Sequence, residues 1–348
     1  MKATLIIQRF GPINDLQITI NKFNILIGPQ AAGKSTISKV LCVIQSFEPN
    51  LSRSSEDANK FDELKQLLAY YHIENFYKKN TYWFFEDDNL TFELKENKVS
   101  FEYKKVPKSQ FECYYFPAER IAFPMISESI FELNLSDSTL PKYFLQFGND
   151  FIKARRQQKT FNLPLLDVEY EYKDGKNIVT LRNNQSLLLE ETSSAIQANL
   201  PMQIILQYPA RVALLFVIEE LELHCFPQLQ KQVLYYIVER MKHPGWEEAY
   251  VVMPTHSPYL LSAMNNLLFA GKVSRQSEQA AIAVNGIISS RSWISIEDFS
   301  AYYVKDGGAT SIVDPNTGLI YENELDKVSE DLAGEFDALM ELYKPAMV

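Results

Sequence analysis

Cysteine, histidine and glycine are scarce in this chain: three, four and 12 among 348 residues. Cys42, Cys113 and Cys225 are scattered and form neither a disulfide framework nor a metal-spaced pair. That excludes a disulfide-stapled secreted scaffold and predicts a reducing, cytoplasmic setting. No apolar run approaches the length of a membrane span, and Met1-Lys2-Ala3-Thr4 leads into no signal-peptide core, so no membrane partner is expected. Excess positive charge is missing as well. A formal charge of −10 gives no general attraction to nucleic acid, which leaves only a local basic patch as a route to such a partner. There is no internal repeat and no low-complexity segment. What remains, 46% hydrophobic and 22% charged residues, is the composition of a globular protein long enough for one large domain or two.

With glycine this rare, two glycines at a fixed spacing stand out. Gly28-Pro29-Gln30-Ala31-Ala32-Gly33-Lys34-Ser35, followed by Thr36, fits the phosphate-loop pattern G-x-x-x-x-G-K-[ST]. The apolar segment Phe23-Asn24-Ile25-Leu26-Ile27 before it reads as a buried strand. Ile37, Val40, Leu41 and Ile44 after it recur at helical spacing. Strand, glycine-bounded loop and helix together aim backbone N–H groups and a helix N-terminus at a polyphosphate. Nucleotide binding is the expectation.

Around this unit the chain alternates strands and helices. Thr4–Ile7 and Leu16–Ile20 read as strands about a Phe10-Gly11-Pro12 turn, residues 48–60 as a loop, and Phe61–Tyr77 as a helix. Three aromatic runs, Tyr82–Phe85, Leu90–Leu94 and Val99–Tyr103, predict an antiparallel meander. Cys113–Phe116 should rejoin the central sheet. Residues 126–158 carry a helical pattern ending in a basic cluster from Lys153 to Lys159, which reads foremost as a solvated helix C-terminus. Val168–Tyr172 and Ile178–Leu181 pair about Asp174-Gly175, and a helix opens near residues 190–197. The most apolar run, residues 212–218, predicts a buried strand. A helix over Gln228–Met241 and a strand over Glu248–Met253 follow. Further on we expect a helix over Tyr259–Asn266, strands near Asn266–Phe269, Ile282–Val284 and Ser300–Val304, and a closing helix from Leu325 to Tyr343. The pattern predicts an α/β fold with a mixed, largely parallel central sheet.

Hydrolysis needs more than a phosphate loop. Magnesium takes oxygen ligands, and the Ser35 hydroxyl supplies one. An acid at the end of a neighbouring buried strand supplies the second contact, and Glu219 sits there. Glu220, next in line, would face the γ-phosphate as general base for the attacking water. His256 follows a strand end in the proline-bracketed turn Pro254-Thr255-His256-Ser257-Pro258, where an imidazole can bond a γ-phosphate or the attacking water. His224 and Cys225 are too few to make a metal site.

This order of motifs resembles the ABC-class ATPases of the SMC/RecF-like branch. More narrowly, it resembles the AAA-annotated prokaryotic ATPases related to the ATPase half of OLD-family nucleases. The resemblance lies in Ile25–Lys39, Tyr115–Arg120, Ile218–Pro227 and Thr255–Ser262, with a similar tail from Ala301 to Ser329. It implies an ABC-type P-loop ATPase with an antiparallel β-subdomain and a helical lobe, using ATP and Mg2+. The implied divisions of a single domain are 1–47 and 110–122 for the core lobe, 48–109 for a helix and β insertion, 123–210 for the helical signature lobe, and 211–348 for the remainder. Lys34 would hold the β- and γ-phosphates, Ser35 and Glu219 the magnesium, Glu220 would be the base and His256 the γ-phosphate switch. Ser193, in Thr192–Gln197, matches the signature serine, which in this class meets the nucleotide of a second subunit. That implies a homodimer around two ATP molecules, gating an effector protein in anti-phage defence or a toxin–antitoxin-like module. The chain has Ala195 and Leu221 where the family usually has glycine and proline, and it carries no nuclease-type acidic module. A RecF-like DNA-repair ATPase, a nucleotide-locked scaffold and, more remotely, a P-loop kinase stay open as alternatives.

Overall fold

The computed structural model describes residues 2–47, 57–105, 112–126, 140–209, 213–242, 244, 246, 248–321 and 324–343. Strands β1 (Ala3–Phe10) and β2 (Ile13–Ile20) form an antiparallel hairpin, with Leu5, Ile7, Leu16 and Ile18 buried at alternate positions. Strand β3 (Phe23–Ile27) is buried at every residue and runs into the glycine loop. Helix α1 (Lys34–Ser46) follows, with Ile37, Val40, Leu41, Val43 and Ile44 inaccessible to solvent. Each such aliphatic side chain contributes about 1.5–3 kcal/mol of burial, so the loop is clamped between two elements that the core holds.

Helix α2 (Asp57–Tyr70) ends earlier than the expected Phe61–Tyr77 helix and begins inside the expected loop. His72 takes a left-handed φ of 54°, and the Ile73 amide returns to the Leu68 carbonyl at 3.0 Å, which stops the helix. Residues 48–56 of that expected loop lie outside the described residues. Strands β4 (Tyr82–Glu86), β5 (Leu90–Lys95) and β6 (Lys98–Tyr103) make the expected meander. They extend the first hairpin into an antiparallel sheet of order β2-β1-β4-β5-β6.

Strand β7 (Glu112–Phe116) is followed by a 3-10 helix over Ala118–Met125. Of the expected 126–158 helical pattern, residues 127–139 lie outside the described residues, and helix α3 spans Lys142–Arg156. The basic cluster at its end is not wholly solvated. Arg155 is buried, its guanidinium carbon 3.6 Å from the centre of the Tyr172 ring, whereas Lys153 and Arg156 are exposed. Strands β8 (Thr160–Leu163), β9 (Val168–Lys173), β10 (Lys176–Leu181) and β11 (Ser186–Leu188) form a second antiparallel sheet. Helix α4 (Ser194–Gln207) packs on α3.

The central sheet is completed by β12 (Ala213–Ile218), α5 (Pro227–Arg240), β13 (Tyr250–Pro254), α6 (Pro258–Ser274), α7 (Glu278–Asn285), β14 (Phe299–Lys305) and β15 (Gly308–Ser311), before α8 (Glu324–Tyr343). Its order is β15-β14-β3-β13-β12-β7, every pair parallel except β14 with β15. The expected mixed, largely parallel sheet, antiparallel β-structure and helices are all present. Two expected strands are helical. Asn266–Phe269 lies inside α6, whose mid-helix Asn265 side chain exchanges hydrogen bonds with the backbone of Ile320 at 2.8 Å each way. Ile282–Val284 lies inside α7, capped by the Ser277 hydroxyl accepting from the Ala280 amide. Cys42 on α1 and Cys113 on β7, far apart in sequence, bring their thiol sulfurs within 2.7 Å in the core. Among the described residues no helix is long and apolar enough to cross a membrane.

Candidate functional site

The parallel strands β3, β13, β12 and β7 deliver their carboxyl ends to one edge of the sheet, where α/β proteins bind ligands. The glycine loop leaves β3 there. Gly28 has φ 147°, and a Cβ on it would come within 2.1 Å of the Val304 carbonyl oxygen on β14. Gly33, the N-cap of α1, has φ 110°, and a Cβ would meet the Ile13 side chain at 2.5 Å. Conformation favours glycine at both, and at Gly28 the backbone carbonyl leaves no space for a side chain. Between them Ala31 also takes a left-handed φ of 60°. Lys34 is buried, and its ammonium donates to the Gly28 and Pro29 carbonyls at 2.7 and 2.9 Å. Burial lowers its pKa, partly offset by the negative charges of Glu220, Glu222 and Glu219.

A cleft of about 640 Å³ opens over the loop. Gln30, Ala31, Ala32, Gly33, Lys34, Ser35, Thr36 and Lys39 line it together with Glu119, Glu219, Glu220 and His256. Four stretches distant in sequence thus converge, and every expected residue of the cleft is present except three. Gly28 lines neither this cleft nor the adjoining hollow that Pro29 shares with Gln30–Ala32, and Ser193 is outside both. Ser193 is the exposed N-cap of α4, and its hydroxyl makes no capping bond. Ala195 is half-buried on the first turn of that helix, and Leu221, the other departure from the resemblance, is fully buried in the core.

Glu219 and Glu220 follow β12 in a turn held by backbone bonds. The Glu219 amide donates to the Phe116 carbonyl and the Glu220 amide to the Pro254 carbonyl, both at 3.0 Å. Glu220 has a φ of 45°, an unfavourable conformation for an L side chain that costs about 1–2 kcal/mol. Glu219 is 7% exposed, and among the described residues its Oε1 makes no hydrogen bond of full geometry, although the buried Tyr115 hydroxyl, likewise unsatisfied, faces it. A buried carboxylate with so little hydrogen bonding has lone pairs to fill, and a hard cation can take them. With the exposed Ser35 hydroxyl lining the same cleft, the donors fit magnesium.

His256 is half-buried. Its pKa is lowered first by burial and then by the Lys34 charge, against Glu222 and Glu220, so the neutral imidazole dominates at pH 7. Glu222 fixes this corner, accepting from the Thr255 hydroxyl at 2.8 Å and the His256 amide at 2.7 Å. Sequence reasoning missed Glu222 and also Arg120, which reaches the acidic turn from below. Both lie inside the passages that carry the resemblance. A charged residue beside a strand end is the only signal that could have singled them out.

No family model matches the chain, and no curated protein does. Solved structures do. The SMC head bound to the C-winged helix domain of ScpA is 10% identical over 89% of this chain and 96% of that one, with a TM-score of 0.45. The SMC head domain from Thermotoga maritima is 13% identical, covering 75% and 90%, with a TM-score of 0.38. The ATP-binding cassette MJ0796, as a dimer bound to ADP and Pi, is 9% identical, covering 88% and 96%, with a TM-score of 0.36. Likeness at this level leaves the chemistry to the residues of the cleft.

Proposed function

We propose that the chain is an ABC-type ATPase that binds ATP with Mg2+ in this cleft and hydrolyses it. The observation that carries this is the convergence of the glycine loop with the buried Glu219 carboxylate, Glu220 and His256 around one cleft. The amides of the loop and the N-terminus of α1 receive the phosphates. Lys34, already desolvated, turns its ammonium from the Gly28 and Pro29 carbonyls to the β- and γ-phosphate oxygens. Ser35 and Glu219 would hold the metal, which when bound neutralises charge on the phosphates. Glu220 takes a proton from water as the water oxygen bonds to the γ-phosphorus and the bond to the β–γ bridging oxygen breaks, releasing ADP and phosphate. Neutral His256 can donate to a γ-phosphate oxygen from one ring nitrogen.

Ser193 stands exposed outside its own chain's cleft, which suits a role in trans. Two copies would then enclose two ATP molecules in a two-fold dimer, and hydrolysis would release them to gate a partner effector in anti-phage defence or a toxin–antitoxin-like module. The DNA-clamping alternative loses support from the burial of Arg155, which removes one charge from the best basic cluster. Steady-state hydrolysis and light scattering of Glu220→Gln test the proposal. We expect turnover to fall at least about a hundredfold while an ATP-bound dimer accumulates. Turnover at the wild-type rate would remove Glu220 from its role, and a wild type that binds ATP without turnover would make the protein a nucleotide-locked scaffold.

A further inference from the structure

Arg120 is among the largest fully inaccessible side chains of the protein, at 0% exposure, and among the described residues no carboxylate pairs with it. Such burial normally marks an arginine held by an ion pair. Here carbonyls do the work, and every guanidinium nitrogen is used. Nη1 donates to Pro117 at 3.0 Å and to Glu219 at 2.6 Å, Nη2 donates to Glu220 at 2.8 Å, and Nε donates to Ala198 at 3.2 Å. Burial lowers its pKa to about 10, so it stays charged at neutral pH.

Those acceptors belong to three separate pieces of chain. Pro117 follows β7, the two glutamates form the turn after β12, and Ala198 lies on α4. Two successive carbonyls, those of Glu219 and Glu220, point at one planar cation, which fixes the peptide planes on either side of the left-handed Glu220. Charge-assisted bonds are roughly twice as strong as neutral ones, and a planar fork transmits direction as a lone ammonium does not. The same fork grips α4 one turn from its N-terminus.

We propose that Arg120 is a positioning residue that ties the acidic turn to α4, so that a shift of Glu219 and Glu220 on nucleotide binding is passed to the helix that presents Ser193. The proposal rests on the ATPase reading above, but the tie itself exists without ligand and can be tested without it.

Hydrogen–deuterium exchange on the full chain reads both. In wild type, Mg-ATP should slow exchange in residues 28–36, in 216–222 and in 194–200. Arg120→Lys keeps the charge but cannot span four carbonyls. In the ligand-free variant, exchange should quicken by about tenfold or more in both 216–222 and 194–200, the size expected for losing bonds to a charged donor. With Mg-ATP, 28–36 should still be protected while the response of 194–200 is lost. The Kd for ATP should stay within about threefold as kcat falls at least about tenfold, a split that general loosening of the fold would not produce. If 194–200 responds to ATP in the variant as in wild type, or quickened exchange is confined to 216–222, the tie is refuted. If wild type protects 28–36 but not 194–200, it is refuted as well. Should Arg120→Lys fail to fold, that wild-type comparison decides alone. Absence of any protection at 28–36 overturns the ATPase reading instead, and the ligand-free comparison then settles whether the tie exists.

Discussion

The two walls of the cleft hold backbone conformations of the same unfavourable kind by opposite means. In the loop, left-handed φ values fall at Gly28 and Gly33, with Ala31 between them. In the acidic turn they fall at Glu220 and His224, and the turn contains no glycine. At Gly28 and Gly33 the loop's shape is written into its own residues, because glycine meets no Cβ penalty there, and only Ala31 pays it. The turn's shape rests on its own Leu223–Glu220 and Cys225–Glu222 backbone bonds, on the burial of Leu221 and, from outside, on the Pro254 carbonyl and the Arg120 guanidinium. One wall is stable by composition, the other by contacts that strain must work against. A turn of the second kind is suited to move when its contacts change.

Substitutions can break this contrast. The largest effect is expected for Gly28→Ala. Its Cβ would collide with the Val304 carbonyl at a φ of 147°, and backbone does not yield as a side-chain tip does. We expect a loss of about 3 kcal/mol or more in urea denaturation, or failure to fold. A midpoint within about 0.5 kcal/mol of wild type would show that β14 does not close on the loop. A smaller effect of opposite sign is expected for the exposed His224, at φ 56°. Glycine there removes the left-handed penalty while adding freedom to the unfolded chain, so His224→Gly should be neutral or stabilising by up to about 1 kcal/mol. A clear loss of stability would mean that the turn is not strained at that position.

The same contrast explains what was legible in the sequence. Strand β3, the loop and α1 were readable because periodicity and glycine spacing are local signals. So were the β4–β6 meander and the paired acids after an apolar run. Asn266–Phe269 was misread because Leu267, Leu268 and Phe269 form a short apolar run, and periodicity over so few residues cannot separate a strand from a buried helix. The work of Arg120 and Glu222 was invisible for a different reason. Apart from the Thr255 hydroxyl on Glu222, their partners are backbone groups of Pro117, Ala198, Glu219, Glu220 and His256, which carry no residue identity a sequence could display. The proximity of Cys42 and Cys113 was hidden likewise, since only the packing of α1 against β7 joins them.

The central claim is that the loop and the acidic turn form one site. Equilibrium titration with ATP, with and without magnesium, in wild type and Glu219→Gln measures this directly. If the buried Glu219 carboxylate and the Ser35 hydroxyl share a cation, magnesium should tighten ATP binding to wild type by about tenfold or more, and Glu219→Gln should lose most of that gain while still binding free ATP. An equal magnesium effect in both proteins would contradict the account, leaving a phosphate loop beside a pair of acids that take no part in holding its ligand.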